Sequence, residues 1–249
     1  MRDMHSDVIA IIPARSGSKG FPDKNIKALA GFPLLAYSII AAKLSGIGRI
    51  ILSTDSSNYA EIGKKYGAET PFLRPEEISL DHSTDFEFMY HAMNWIKEKE
   101  GFLPEYWLHL RPTSPLRDHS MIIKALEELE NSNNASSLRS AHVASESPFK
   151  WFLKDKNNLF EPIVGELTPE QVNNPRQEFP EVFVPNGYVD IVRSSFVLKK
   201  KALHGQSMLV FETDNIIEID EPIDFERLEF EANRSGHPLI NSLNELENE

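Results

Sequence analysis

The sequence predicts an α/β protein built around a mostly parallel β-sheet, and three observations carry that expectation. Short strand-like runs alternate with longer helical patterns from the first run onward, which is how βαβ units read in sequence. The opening run, Val8–Ile12, is apolar without alternation, as strands covered on both faces are. The 249 residues, 41% hydrophobic and 26% charged, suit one large domain or a domain carrying an insertion.

The elements follow in order. Val8–Ile12 reads as a buried first strand ending at Pro13. Pro33 opens a helix to Leu44, with Leu34, Leu35, Ser38, Ile39 and Ala42 on one face. Arg49–Thr54 is a second strand, and Asn58–Tyr66 a short helix closed by Gly67. Ser83–Lys99 is an amphipathic helix whose Phe86, Met89, Met93 and Ile96 form a core stripe, with His91 beside it. Tyr106–Leu110 is a strand running into RPTSPLR, and Asp118 caps a helix to about Glu130. From Ala144 to Pro185 the chain becomes rich in Pro, Asn, Glu and aromatics (Trp151, Phe152, Phe160, Phe179, Phe183), without helical period. This stretch reads as an insertion that leaves the sheet and returns at Tyr188–Val192. A last strand near Ile216–Ile219 precedes a helix from Pro222 to about Ala232, and Asn241–Glu249 reads as a frayed end.

Bulk composition narrows the function. A net charge of −12 argues against a nucleic-acid surface while leaving room for a local basic pocket. With no cysteine, disulfides and thiolate chemistry are excluded. No apolar run reaches the roughly 18 residues of a membrane span, and no apolar signal core precedes the first strand. The expected setting is the cytoplasm, without membrane or nucleic-acid partners.

Residues 8–25, VIAIIPARSGSKGFPDKN, carry most of the chemistry. A strand empties into a loop of small residues (Ala14, Ser16, Gly17, Ser18, Gly20) studded with Arg15, Lys19 and Lys24. Small residues let backbone N–H groups approach a ligand, and cations neutralise several negative oxygens. A polyphosphate site needs both. A P-loop is excluded because Lys19 precedes Gly20, and a Rossmann fingerprint because only Gly17 and Gly20 are present. A solvated β-to-α connection with incidental charges is the bland alternative.

The order IPARSGSKGFPDKN resembles the N-terminal signature of the acylneuraminate cytidylyltransferase (CMP-sialic acid synthetase) family. Six further blocks continue the resemblance in order: STD at Ser53–Asp55, LRPEE at Leu73–Glu77, RPTSPLR at Arg111–Arg117, NNPRQ at Asn173–Gln177, PNGYVDI at Pro185–Ile191 and EIDEPIDF at Glu218–Phe225. Together they span about residues 7–232. The resemblance implies a Rossmann-like three-layer nucleotidyltransferase (nucleotide-sugar pyrophosphorylase) fold in a single domain. It also implies a homodimer that uses the insertion at about 144–185, although those aromatics could instead fold back on their own domain.

The reaction implied is attack of a sugar oxygen on the α-phosphate of a nucleoside triphosphate, CTP by preference, with release of pyrophosphate and with Mg²⁺ as cofactor. In family terms Ala14, Arg15, Ser16, Gly17, Ser18, Lys24 and Asn25 line the triphosphate. Arg74 lies near the base, unless it pairs with Glu76 or Glu77. Asp85 falls where the family usually has a base-contacting hydroxyl, and it could accept from cytosine or from guanine. Asp220 and Glu218 are the metal candidates, Asp220 favoured because the family has aspartate at both positions; Asp55 is a second candidate, or a helix cap. Arg15, Lys24 and Asp220 would carry catalysis.

On the acceptor side, Arg111 replaces the glutamine common in sialic-acid-activating members, and Val184 replaces an arginine before PNG. Arg176 is retained. Arg111, Pro112, Thr113, Arg176, Asn186 and Tyr188 are the acceptor candidates, with Arg117 read as structural. The favoured acceptor is a nonulosonic acid of sialic, legionaminic or pseudaminic type. A sugar 1-phosphate with CTP or GTP and a non-catalytic nucleotide-binding module are the alternatives; a D-x-D glycosyltransferase motif is absent.

Overall fold

A computed structural model describes residues 7–17 and 21–248. The first strand, β1 (Val8–Pro13), is followed by a loop, a 3₁₀ turn at Lys24–Ile26 and a two-residue hairpin, β2 (Ala28–Leu29) and β3 (Phe32–Pro33). Next come α1 (Leu34–Leu44), β4 (Arg49–Ser53), α2 (Ser57–Tyr66), α3 (Asp85–Glu100), β5 (Tyr106–His109), α4 (His119–Glu130) and β6 (Ser137–Val143). The remainder comprises β7 (Phe152–Lys154), β8 (Phe160–Pro162), α5 (Pro169–Val172), β9 (Phe183–Arg193), α6 (Ser194–Lys200), β10 (Met208–Glu212), α7 (Pro222–Ser235) and α8 (Pro238–Asn248).

Six strands form one sheet in the order β10-β6-β9-β5-β1-β4. All run parallel except β9, which pairs antiparallel with both β5 and β6. The two faces of β1 feed two cores. Val8, Ala10 and Ile12 pack with α1, α4 and the C-terminal helices, whereas Ile9 and Ile11 pack with Phe88, Met89 and Met93 of α3. That two-sided burial explains why the strand reads as an unbroken apolar run.

The expected helix boundaries agree closely with those observed. Ser56 caps α2 and Gly67 ends it at φ 96°. Thr84 and Glu87 form a capping box on α3. Asp118 accepts from the Ser120 N–H to cap α4. Four expectations need correction. The α1 helix is buried all round from Leu34 to Ala42, not on one face, because it lies between the sheet and α2, α4 and α8. The sixth strand is Met208–Glu212 rather than Ile216–Ile219: MLVFE finds a parallel partner in β6, and the later run becomes an extended segment that buries Ile219. The strand returning from the insertion begins at Phe183, ahead of Tyr188. The C-terminal segment is helical: Leu239 and Leu243 of α8 are fully buried, and the helix packs on α1.

Candidate active site

Strand order reverses at β1, which has β4 on one side and β5 on the other. Ligands of open α/β sheets bind at such a switch point, beyond the carboxyl ends of the strands. A cleft of about 210 Å³ opens there. Its walls come from the ends of β1 (Pro13, Arg15), the following turn (Lys24, Asn25), Arg74, the N-terminus of α3 (Ser83, Asp85, Phe88) and the loop after β5 (Arg111, Pro112, Thr113). Four of these residues are cationic in a chain of net charge −12, against one carboxylate, Asp85, in the same lining.

The first loop is braced from beneath. The Ala14 N–H donates to the Ser53 carbonyl. Gly17 adopts φ 70°, a conformation that favours glycine. The Ser16 N–H and hydroxyl each donate to the Asp55 carboxylate at 2.7 Å. Asp55 therefore anchors the loop to the end of β4 with both oxygens, which corrects its reading as a helix cap, since Ser56 caps α2 instead. The same bonds engage both donors of Ser16 inside the protein. Ser18 and Lys19 lie outside the described residues. Asn25 is buried and donates to the Arg15 carbonyl at 3.0 Å, and Arg15 itself pairs with Asp81 at 2.8 Å.

Lys24 joins the two ends of the chain. Its Nζ donates to the Ile219 carbonyl at 2.7 Å and lies 3.6 Å from Asp220 Oδ1. Ile219 is fully buried and its N–H donates to the Thr113 carbonyl, so the segment that presents Glu218 and Asp220 is tied to the cleft wall. Glu218 accepts from Ser114 Oγ at 3.3 Å, and a Cβ at Gly187 would collide with its carboxylate. No group of three or more His, Cys, Asp or Glu that could hold a metal occurs among the described residues. An exposed aspartate with a carboxylate neighbour is a set of hard oxygen donors that suits Mg²⁺, which usually takes one or two protein carboxylates and completes its shell with phosphate and water.

Arg74 is buried, donates to Ser53 Oγ and to the Ser53 carbonyl, and stacks over Phe88 at 4.8 Å. It does not pair with Glu76 or Glu77. Burial lowers its pKa to about 10, so it stays charged at neutral pH. Asp85 and Arg111 form a 2.7 Å pair across the cleft. Burial alone would raise the Asp85 carboxyl; its pair with the Arg111 guanidinium pulls it below the usual carboxylate range.

Behind the cleft sits Arg117, fully buried. It donates to the carbonyls of Tyr188 (2.5 Å), Arg111 (2.5 Å) and Gly187 (2.9 Å) and to Ser38 Oγ (2.9 Å). Burial lowers it to about 9. Its structural reading stands, with three backbone carbonyls and the Ser38 hydroxyl as partners.

Three acceptor candidates lie off the cleft wall. Arg176 donates to the Ser145 and Ala144 carbonyls and clamps the start of the insertion. Asn186 is buried, its amide satisfied by Ser140 and Thr213. The Tyr188 hydroxyl accepts from the Asp118 N–H and lines a separate cavity of about 170 Å³ with Ser114 and Ile216. Each is engaged by backbone or by a buried polar partner, which is what keeps it out of the cleft. Asp190 was not singled out from the sequence, yet it is buried and pairs with Arg111 at 2.8 Å. A carboxylate in the apolar run of a central strand was the available signal.

Comparison with known proteins places this geometry. A family model described as Cytidylyltransferase matches residues 9–226. The chain belongs to the cytidylyltransferase family. The N-acylneuraminate cytidylyltransferase of Escherichia coli O18:K1:H7 is 34% identical over 99% of this chain and 58% of its own length, so the chain spans little more than half of that relative. The flagellin modification protein B of Campylobacter coli is 30% identical, covering 90% of this chain and 94% of its own. The CMP-N,N'-diacetyllegionaminic acid synthase of Legionella pneumophila is 29% identical over 88% of this chain and 93% of its own. Among solved structures, a CMP:2-keto-3-deoxy-manno-octonic acid synthetase superposes with a TM-score of 0.66 at 14% identity, covering 92% of this chain and 99% of that one. At that identity the likeness shows the fold, and the fold expected from the sequence is the one found: a nucleotidyltransferase α/β architecture. Among the described residues, no helix is long and apolar enough to cross a membrane.

Proposed function

We propose that the protein transfers CMP from CTP to a nonulosonic acid of sialic, legionaminic or pseudaminic type, releasing pyrophosphate. The observation that carries this reading is that Arg15 and Lys24 line one cleft and that Lys24 reaches Asp220, from the opposite end of the chain, at 3.6 Å. The relatives named for acylneuraminate and diacetyllegionaminic acid chemistry support the acceptor class.

In this scheme the acceptor's anomeric oxygen attacks the α-phosphorus, that P–O bond forms, and the bond to the β-phosphate oxygen breaks. Charge grows on the leaving pyrophosphate, so positioned cations are the main requirement. Arg15 offers a bidentate fork to phosphate oxygens once it exchanges Asp81 for the ligand, and Lys24 offers a point charge. Arg74 and Asp85 form the base end, where the Asp85 carboxylate accepts from the cytosine amino group. Pro112 and Thr113 shape the wall between base and acceptor, and Thr113 holds the metal segment through Ile219. Asp220, with Glu218 beside it, would hold Mg²⁺. When bound, Mg²⁺ supplies neutralisation of the phosphate oxygens and of the leaving group.

The exposed Trp151, Leu153, Leu159, Phe160 and Ile163 of the insertion support a homodimer, because apolar patches of this kind mark interfaces. Two aromatic pairs do pack within the chain, Phe149 stacked on Phe179 and Phe152 tilted against Phe160.

The test is pyrophosphate release with CTP, GTP, UTP or ATP, each against N-acetylneuraminate, legionaminic and pseudaminic acids and hexose 1-phosphates. Turnover with CTP and an acidic nine-carbon sugar is expected. Release only with GTP and a hexose phosphate overturns the reading, and no metal-dependent turnover with any pair would leave a binding module.

A further inference from the structure

Arg111 of RPTSPLR stands where the sequence resemblance leads one to expect glutamine, and the simplest use for the added cation is to hold the acceptor's anion. The contacts of Arg111 point elsewhere. Its Nη2 lies 2.7 Å from Asp85 and its Nη1 2.8 Å from Asp190, whose side chain is only 2% exposed. Burial would lower the Arg111 pKa, and the two carboxylates more than reverse that. The added charge is thus compensated inside the protein by two acidic partners.

Arg139 is placed differently. It stands on β6 directly opposite Asp190 in the β6–β9 register, so both project from the same face of the sheet. Its one ion pair among the described residues is long, with Nε 3.6 Å from Asp190 Oδ1, and both of those atoms are buried without a hydrogen-bond partner. Orphaned buried polar atoms are uncommon in folded proteins and call for a cause. A third of the Arg139 side chain is exposed, which keeps it reachable from solvent. His109 lies on the other side of Asp190, Nδ1 4.0 Å from the carboxylate; burial holds it neutral, so it supplies no competing positive charge. The arrangement is one carboxylate between two guanidinium groups, of which one is doubly paired and the other is held at a single point.

We propose that Arg139 is the anion-binding residue of the acceptor subsite, its guanidinium fork receiving the carboxylate of the acidic sugar, and that Asp190 is the positioning residue that orients both Arg139 and Arg111. The proposal rests on the cytidylyltransferase reading and deepens it: the acceptor subsite lies on the β6 side of Arg111, beyond the nucleotide cleft. A fork whose terminal donors have no partner among the described residues matches a planar carboxylate, and Asp190 fixes the fork's orientation through Nε. No bond is made or broken at this subsite.

The experiment compares wild type with Arg139→Ala, Arg139→Lys and Asp190→Asn in steady-state pyrophosphate release, using N-acetylneuraminate, its C1 methyl ester and a hexose 1-phosphate as acceptors. The methyl ester retains the shape and removes the charge. Arg139→Ala is expected to raise the acceptor KM about 10- to 100-fold, as loss of a charge-assisted bond does, with the KM for CTP within about twofold of wild type. Arg139→Lys should recover part of that loss. Preference for the acid over the ester should collapse in Arg139→Ala. Asp190→Asn should raise the acceptor KM while leaving kcat within a few-fold, a split that a general loss of folding does not produce. An unchanged acid-to-ester preference in Arg139→Ala overturns the proposal, as does an equal rise in the KM of CTP and acceptor. Wild-type turnover of the hexose phosphate alone, lost in Arg139→Ala, would also overturn it as a carboxylate site. Failure of wild type with every acceptor counts against the cytidylyltransferase reading instead. Calorimetric binding of N-acetylneuraminate to wild type and Arg139→Ala then decides the subsite: weaker binding by the variant supports it, and equal affinity overturns it.

Discussion

Arg117→Met gives a quantitative test of how the site is held. The guanidinium ties α1 (Ser38), the loop after β5 (Arg111) and β9 (Gly187, Tyr188) into one unit, and it does so with no acidic partner within hydrogen-bond reach. Methionine fills a similar volume but takes the donor away from the Gly187 and Tyr188 carbonyls, whereas the Arg111 carbonyl keeps the Ser38 hydroxyl and the Ser114 N–H. An unpaired buried acceptor costs about 1–3 kcal/mol, so two carbonyls give roughly 2–6 kcal/mol before relaxation. Removing a buried charge returns part of this as desolvation. The difference should be a net loss of about 2 kcal/mol. For a chain of this size that corresponds to a fall of roughly 4–8 °C in melting temperature. Urea unfolding of wild type, Arg117→Met and Arg117→Lys measures it, and lysine should fall between the two because it keeps the charge but not the fork. A loss below about 1 kcal/mol for methionine would refute the argument, since it would mean that the carbonyls find other donors or that the desolvation cost of the arginine equals its bonds.

Other expectations follow from the same geometry. Arg15→Ala should weaken CTP binding by ~1.5 kcal/mol, the lower end for a charge-assisted bond, because Asp81 already competes for the guanidinium; calorimetric titration of CTP checks this. Lys24→Ala should raise both the KM for CTP and the Mg²⁺ concentration needed for half-maximal rate, because one amine holds the Ile219 carbonyl and faces Asp220; an effect on CTP alone would separate the two. Leu243→Ala should destabilise by about 2–5 kcal/mol if α8 is a packed helix, against a few tenths for a frayed end, as read from urea unfolding. His91, His109 and His204 are all held below the usual histidine range, burial being the leading cause in each. The unfolded chain therefore binds these protons from about pH 6.5 downward while the folded chain does not, and stability should fall as pH drops from 7.5 to 5.5. The urea midpoint across that window reports it, His91→Gln should flatten the slope, and a constant midpoint would sink the prediction.

The parts of the fold that were legible in the sequence are those decided locally. Caps such as Ser56, Thr84 and Asp118, the αL glycine at Gly67 and the unbroken apolar run of β1 each encode their element within a few residues. The misread parts depend on partners far away in the chain. MLVFE and NIIEID are equally strand-like, and only the free edge of β6 makes the first a strand. The polar spacing of 238–248 looks like a tail until α1 offers a surface for Leu239 and Leu243. In the site, the loop cations and the acidic segment were visible as motifs, and the structure brings Arg15, Lys24, Asn25, Arg74, Asp85, Arg111, Pro112 and Thr113 onto one cleft. Arg176, Asn186 and Tyr188 were equally visible as motif residues but are occupied elsewhere. A short motif specifies which residues matter without separating those that touch a ligand from those that hold the backbone beneath it.

The same distinction governs how charge is read. Counting Arg111 as a gained cation treats it as a free charge, yet a guanidinium between two carboxylates contributes little field to a ligand at close range, because each nearby anion offsets it at a comparable distance. The electrostatic consequence of an arginine at that position then lies not in net charge but in the buried Asp190 that pairs with it. Asp190 in turn fixes the orientation of Arg139, three residues into β6, which no block of the family signature includes. A paired exchange at Arg111, in the loop after β5, and Asp190, in β9, would therefore redirect a neighbouring strand's cation and change acceptor choice, leaving the triphosphate loop untouched. An Arg111→Gln, Asp190→Asn double variant tests the coupling: its effect on acceptor KM should be smaller than the sum of the two single effects in free energy, because the first change removes the partner that the second would leave unpaired. Strict additivity would mean that the two residues act on the acceptor separately.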